Sequence, residues 1–117
     1  MRKEILEKPY INYKEGVKRF SDNEKLYEKY LMKFIADKHM ENARQALKEK
    51  DYKEVLGQIH PLKGMAGTLG MKALFLACDE VVKNARQQQW EQLEISMEKE
   101  WQEYALVIEL LQQAMDG

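Results

Sequence analysis

The chain has 117 residues, with 19 Lys and Arg against 20 Asp and Glu, for a net charge of −1. That length suits one domain spanning residues 1–117, and the charge balance leaves no excess of cations for a nucleic-acid backbone or an acidic membrane surface. A single cysteine, Cys78, excludes an internal disulfide and a thiolate metal cluster.

The N-terminal arm, residues 1–10, begins Met1-Arg2-Lys3-Glu4 and is too charged for a signal peptide. No apolar run reaches membrane-spanning length. A cytoplasmic protein is therefore expected. Five Val and one Thr against many Leu, Glu, Lys, Gln, Ala and Met predict an all-α fold.

Asn12 followed by Glu15 reads as a capping box opening a short helix that carries Val17 and Phe20. Ser21 with Glu24 repeats the pattern, and Leu26, Tyr30, Leu31, Phe34 and Ile35 form the stripe of a longer helix. That helix ends or bends near Asp37 to His39, and Ala43, Ala46 and Leu47 carry it on to about Lys50. Asp51 caps the next helix, which runs to about Leu69 and stops at Gly70 in a left-handed conformation. Leu74, Ala77, Cys78, Val81 and Ala85 give a fourth stripe. After a turn at Gln87 to Gln89, Met97, Trp101, Tyr104, Ile108, Leu111 and Met115 give a fifth. Short connections between long amphipathic helices predict an up-and-down antiparallel four-helix bundle, with the additional short N-terminal helix laid over one end.

Four of the six glycines, Gly57, Gly64, Gly67 and Gly70, fall between Asp51 and Gly70. An interior glycine costs a helix about 1 kcal/mol relative to Ala, so three in one helix need a reason. At about 100° per residue, with His60 at zero, Gly57 lies near 60°, Gly64 near 40° and Gly67 near −20°. Val55, Ile59, Leu62, Ala66 and Leu69 gather on the opposite side. His60 thus projects from a face stripped of side chains, bordered by Lys53 and Lys63. Geometry alone leaves two readings. Either the face receives a bulky phosphoryl donor against an imidazole and an ammonium, or His60 is an ordinary surface histidine and the glycines are packing contacts.

The segment His60-Pro61-Leu62-Lys63-Gly64-Met65-Ala66-Gly67-Thr68-Leu69-Gly70 resembles the signature of histidine-containing phosphotransfer (HPt) domains. The similarity extends to Ile11–Phe20, Tyr27–Asp37 and Leu74–Cys78. It implies a phosphohistidine carrier of a two-component phosphorelay, neither an autokinase nor another enzyme in its own right. His60 Nε2 would take a phosphoryl group from a receiver-domain aspartate and pass it to another. Lys63 would stabilise its charge, while Gly57, Gly64, Gly67 and Lys53 would form the docking face. The implied partners are response-regulator receiver domains and a hybrid sensor histidine kinase, with Mg²⁺ on the receiver alone. No metal or cofactor is expected on this chain, and a monomer is.

Two positions depart from the family pattern. Pro61 follows the histidine inside its helix, where it deletes a backbone hydrogen bond and favours a bend. Val82 stands where the family usually has Gln or Glu to orient the imidazole, and Glu80 lies about 200° around the helix from it. These departures keep an alternative open, a helical adaptor that binds a receiver or another regulatory protein without being phosphorylated. His39 reads as a surface residue at a helix junction and Cys78 as a small buried hydrophobe.

Overall fold

The computed structural model describes residues 1–6 and 9–116. Among them are six α-helices: α1 (Tyr13–Arg19), α2 (Glu24–Ala36), α3 (His39–Lys48), α4 (Tyr52–Thr68), α5 (Lys72–Arg86) and α6 (Trp90–Met115). A single 3-10 turn, Lys3–Ile5, lies in the N-terminal arm, and the part of that arm at residues 7 and 8 is outside the described residues. The arm is tied to the far end of the chain by the Arg2 amide, which donates to the Ala114 carbonyl at 2.7 Å.

Side-chain caps open three of the six helices. Asn12 Oδ1 accepts from the Glu15 amide at 3.1 Å, and Asp51 Oδ1 accepts from the Glu54 amide at 3.1 Å. The second capping box is corrected. Ser21 and Asp22 both have positive φ, 54° and 62°, and this two-residue left-handed turn moves the cap to Asn23, whose side chain accepts from the Leu26 amide.

Helices α2 and α3 form one bent column of the bundle. At the bend Asp37 is extended. Its carboxylate accepts from the His39 amide at 3.0 Å and from His39 Nδ1 at 2.8 Å. His39 is therefore a partner in the joint between two helices. This column, α4, α5 and α6 alternate in direction, as the short connections demand, and α1 lies across one end.

The core differs in detail from the predicted stripes. On α2, Tyr27, Leu31 and Phe34 are buried, while Leu26 and Tyr30 remain exposed. Tyr27 can be central because its hydroxyl donates to the Leu69 carbonyl at 2.7 Å, giving the polar tip a partner in the interior. Its ring also occupies the space that a Cβ at Gly16 would need, so α1 can approach α2 only with glycine there. On α6 the buried seam runs Leu93, Met97, Glu100, Val107, Leu111 and Ala114. Trp101, Tyr104, Ile108 and Met115 flank it, half-buried. Trp101 sits beneath the Arg44 guanidinium, 3.8 Å from its ring centre.

Gly70 closes α4 with φ +79°. A Cβ there would lie 2.7 Å from the Asn12 carbonyl oxygen, and the Gly70 carbonyl accepts from the Asn12 amide at 2.9 Å. Gly70→Ala combines left-handed strain with a backbone collision. It is expected to destabilise the fold by about 3 kcal/mol, measured by urea unfolding against the unsubstituted chain. A loss under 1 kcal/mol would mean that α1 yields without cost.

Candidate functional site

Helix α4 buries Val55, Ile59, Leu62 and Ala66 against its neighbours. Packing that face fixes the rotation of the helix, and His60 consequently points to solvent, exposed. Beside it, a Cβ built at Gly57 or Gly64 meets no atom within 4 Å. The backbone around the imidazole is therefore open, and neither glycine serves as an internal packing contact.

Gly67 differs. A Cβ there would lie 3.2 Å from Phe75 Cδ2, so this glycine makes room for an α5 side chain instead of extending the open patch. Its carbonyl is also engaged, accepting from Arg19 Nη1 at 2.8 Å. Lys53 is exposed near the start of α4, about two turns from His60.

Lys63 stands one turn beyond His60 and is half-buried. Its Nζ lies 2.9 Å from Asp79 Oδ1 on α5. Hydrogen bonding from Lys63, and next from Lys83, holds the Asp79 carboxyl below the usual carboxylate range. The sequence does not single out Asp79, since its pairing with Lys63 depends on how α4 and α5 register.

Pro61 lies within α4, which continues through it. With no N–H at 61, the Gly57 carbonyl loses its usual helical donor. Because Gly57 is exposed, water can serve that oxygen. Val82 is only 1% exposed and belongs to the core, while Glu80 is exposed.

On the Pro61 side of His60 an apolar groove separates α2 from α4. Phe20, Leu26, Tyr30, Pro61, Gly64 and Met65 line it, with Lys33 at its edge. The exposed Leu26 and Tyr30, absent from the core, form one lip of this groove. Among the described residues no three His, Cys, Asp or Glu side chains are grouped to hold a metal ion, and no helix is long and apolar enough to cross a membrane.

Cys78 is fully buried, and its Sγ–H donates to Glu100 Oε2 at 3.8 Å. Burial pushes the thiol up, and the neighbouring Glu100 adds to the effect. This places the sulfur with the core, away from the exposed face of α4.

Comparison with protein-family models matches residues 34–116 to the Hpt domain. The match takes in α3 to α6 with the end of α2, and leaves α1 and most of α2 outside it. Neither the curated proteins nor the solved structures yield a match to the chain.

Proposed function

The chain belongs to the Hpt domain family, and from that membership we propose that it is a phosphohistidine carrier whose accepting group is His60. A phosphotransfer role in two-component signalling comes with the family, as does interaction with receiver domains and kinases. The observation that carries the finer reading is the exposed imidazole on α4 between two glycines whose surroundings are empty. A receiver's active site is recessed, and its phosphorylated aspartate can reach His60 only if little projects around the imidazole.

In the proposed reaction, His60 Nε2 attacks the phosphorus of an aspartyl phosphate in line with the departing oxygen. The N–P bond forms as the P–O bond to the acyl group breaks, and aspartate leaves as carboxylate. The imidazole retains its proton on Nδ1 and bears the positive charge produced. The reverse step hands the phosphoryl group to the next receiver. Mg²⁺ belongs to the receiver partner. Lys63, one turn from His60, stabilises the added negative charge, Lys53 lies on the rim, and the apolar groove between α2 and α4 supplies contact area beside the reacting atoms. Positioning and charge stabilisation account for most of such a transfer, so this chain needs no catalytic base. The proposed protein is a monomer in the cytoplasm, with a hybrid sensor histidine kinase as one source of a donor receiver.

The test is incubation with a panel of phosphorylated receivers, followed by intact-mass measurement at neutral or alkaline pH, where phosphohistidine survives. Label on His60 supports the reading. Receiver binding without label would favour the adaptor. Gly64→Gln is expected to slow transfer on the order of ten-fold or more by filling the space beside His60. It should leave stability unchanged or raise it by about 0.5 kcal/mol, because Gln is the better helix former. Equal transfer rates would remove Gly64 from the docking face.

A further inference from the structure

Lys63 shares its carboxylate partner. Asp79 binds Lys63 through Oδ1 at 2.9 Å and Lys83 through Oδ2 at 3.2 Å. The two lysines differ in setting. The Lys63 side chain is 23% exposed and also lies over the Phe75 ring, whereas Lys83 is 62% exposed. Lys83 is one helical turn from Asp79 on the same helix, a spacing that lets the pair persist without help from α4. Asp79 therefore keeps a cation even when Lys63 moves.

Building on the phosphocarrier reading, we infer that Asp79 is a positioning residue that divides the Lys63 ammonium between itself and a phosphoryl group on His60. With His60 bare, Lys63 stays on Asp79. Once Nε2 carries a dianionic phosphoryl group one turn away, the ammonium has two anions within reach, and Lys83 lets Asp79 release it without becoming unpartnered. The phosphoryl group consequently receives only part of the Lys63 charge. This limits how long the phosphorylated state survives. In its loss to water, the water oxygen bonds to phosphorus as the Nε2–P bond breaks. The ring nitrogen keeps the electron pair and takes one water proton, and inorganic phosphate leaves with the other.

The experiment loads the full chain with phosphoramidate, a small N-phosphoryl donor that needs no receiver, and follows phosphohistidine by ³¹P NMR at neutral pH. Asp79→Asn is expected to lengthen its lifetime about 2–5-fold, the scale of a partly exposed ion pair. Lys83→Ala should shorten it by a similar factor, because Asp79 then closes on Lys63 alone. Asp79→Glu should restore the original lifetime, and in a Lys63→Ala background Asp79→Asn should have no effect. A general loosening of α5 cannot produce opposite signs at Asp79 and Lys83. An unchanged or shortened lifetime in Asp79→Asn, or an effect that persists without Lys63, overturns the inference while leaving the carrier reading intact. Failure of the unsubstituted chain to take a phosphoryl group on His60 overturns the carrier reading, and the inference with it.

Discussion

Replacing His60 with Gln is expected to abolish phosphoryl acceptance from every phosphorylated receiver while leaving the fold in place. The side chain is exposed on α4, and no protein hydrogen bond to its ring is present among the described residues. Removing it therefore uncovers no buried partner, and the change in stability should remain within about 0.5 kcal/mol. The same intact-mass measurement decides the acceptor, with melting curves as the control for folding. Label retained by the mutant would move the acceptor elsewhere, with His39 the only other histidine. That residue is already engaged by Asp37 at 2.8 Å.

The second large effect is expected far from that face, at Glu100. This carboxyl is fully buried in the α6 seam, with Oε1 unpartnered and Oε2 accepting from the Cys78 thiol. Burial pushes its pKa from 4.5 up to about 8, against smaller opposing effects from Cys78 and Arg44. Below about pH 4.5 both the folded and the unfolded chain hold the proton, and the folded state gains fully from the neutral acid. As pH rises towards 8, the unfolded chain ionises first and stability falls. Glu100→Gln cannot ionise. Its stability relative to the original chain should rise across this window on the order of 3 kcal/mol, measured by urea unfolding at a series of pH values. Comparing the two proteins across pH separates this effect from any fixed cost of the amide. A difference that stays constant with pH would show that Glu100 ionises in the folded protein as readily as in water.

Glu100 also shows where sequence reading stops. It sits in the run Glu98-Lys99-Glu100, which looks like a solvated helix face. Only the alternation of three- and four-residue steps through Leu93, Met97, Val107 and Leu111 puts it on the seam. The helix starts at Asn12 and Asp51 and the stop at Gly70 were legible because each depends on a side chain, or its absence, acting on backbone a few residues away. The exposed setting of His60 followed from one helix's periodicity for the same reason. Ser21 misled because two consecutive left-handed residues follow α1, a conformation that hydrophobic pattern does not encode. The burial of Tyr27 is not legible because its partner carbonyl is 42 residues along the chain. Asp79 and the Phe75 contact at Gly67 required the register of α4 against α5. Local rules thus placed the exposed His60, while the charges and packing around it come from neighbouring helices.

The backbone pairing between Asn12 and Gly70 bears on the order in which the chain assembles. Helices α3 to α6 meet their neighbours through short connections, so their contacts close small loops and form early. The Asn12 amide must find a carbonyl 58 residues away before α1 has a seat, and that seat is the turn between α4 and α5. Docking of α1 is therefore expected late in folding and should be the first step lost on local opening. Hydrogen exchange at the Asn12 amide reads it directly: exchange as slow as that of the Leu111 amide would show instead that α1 opens only when the whole domain does.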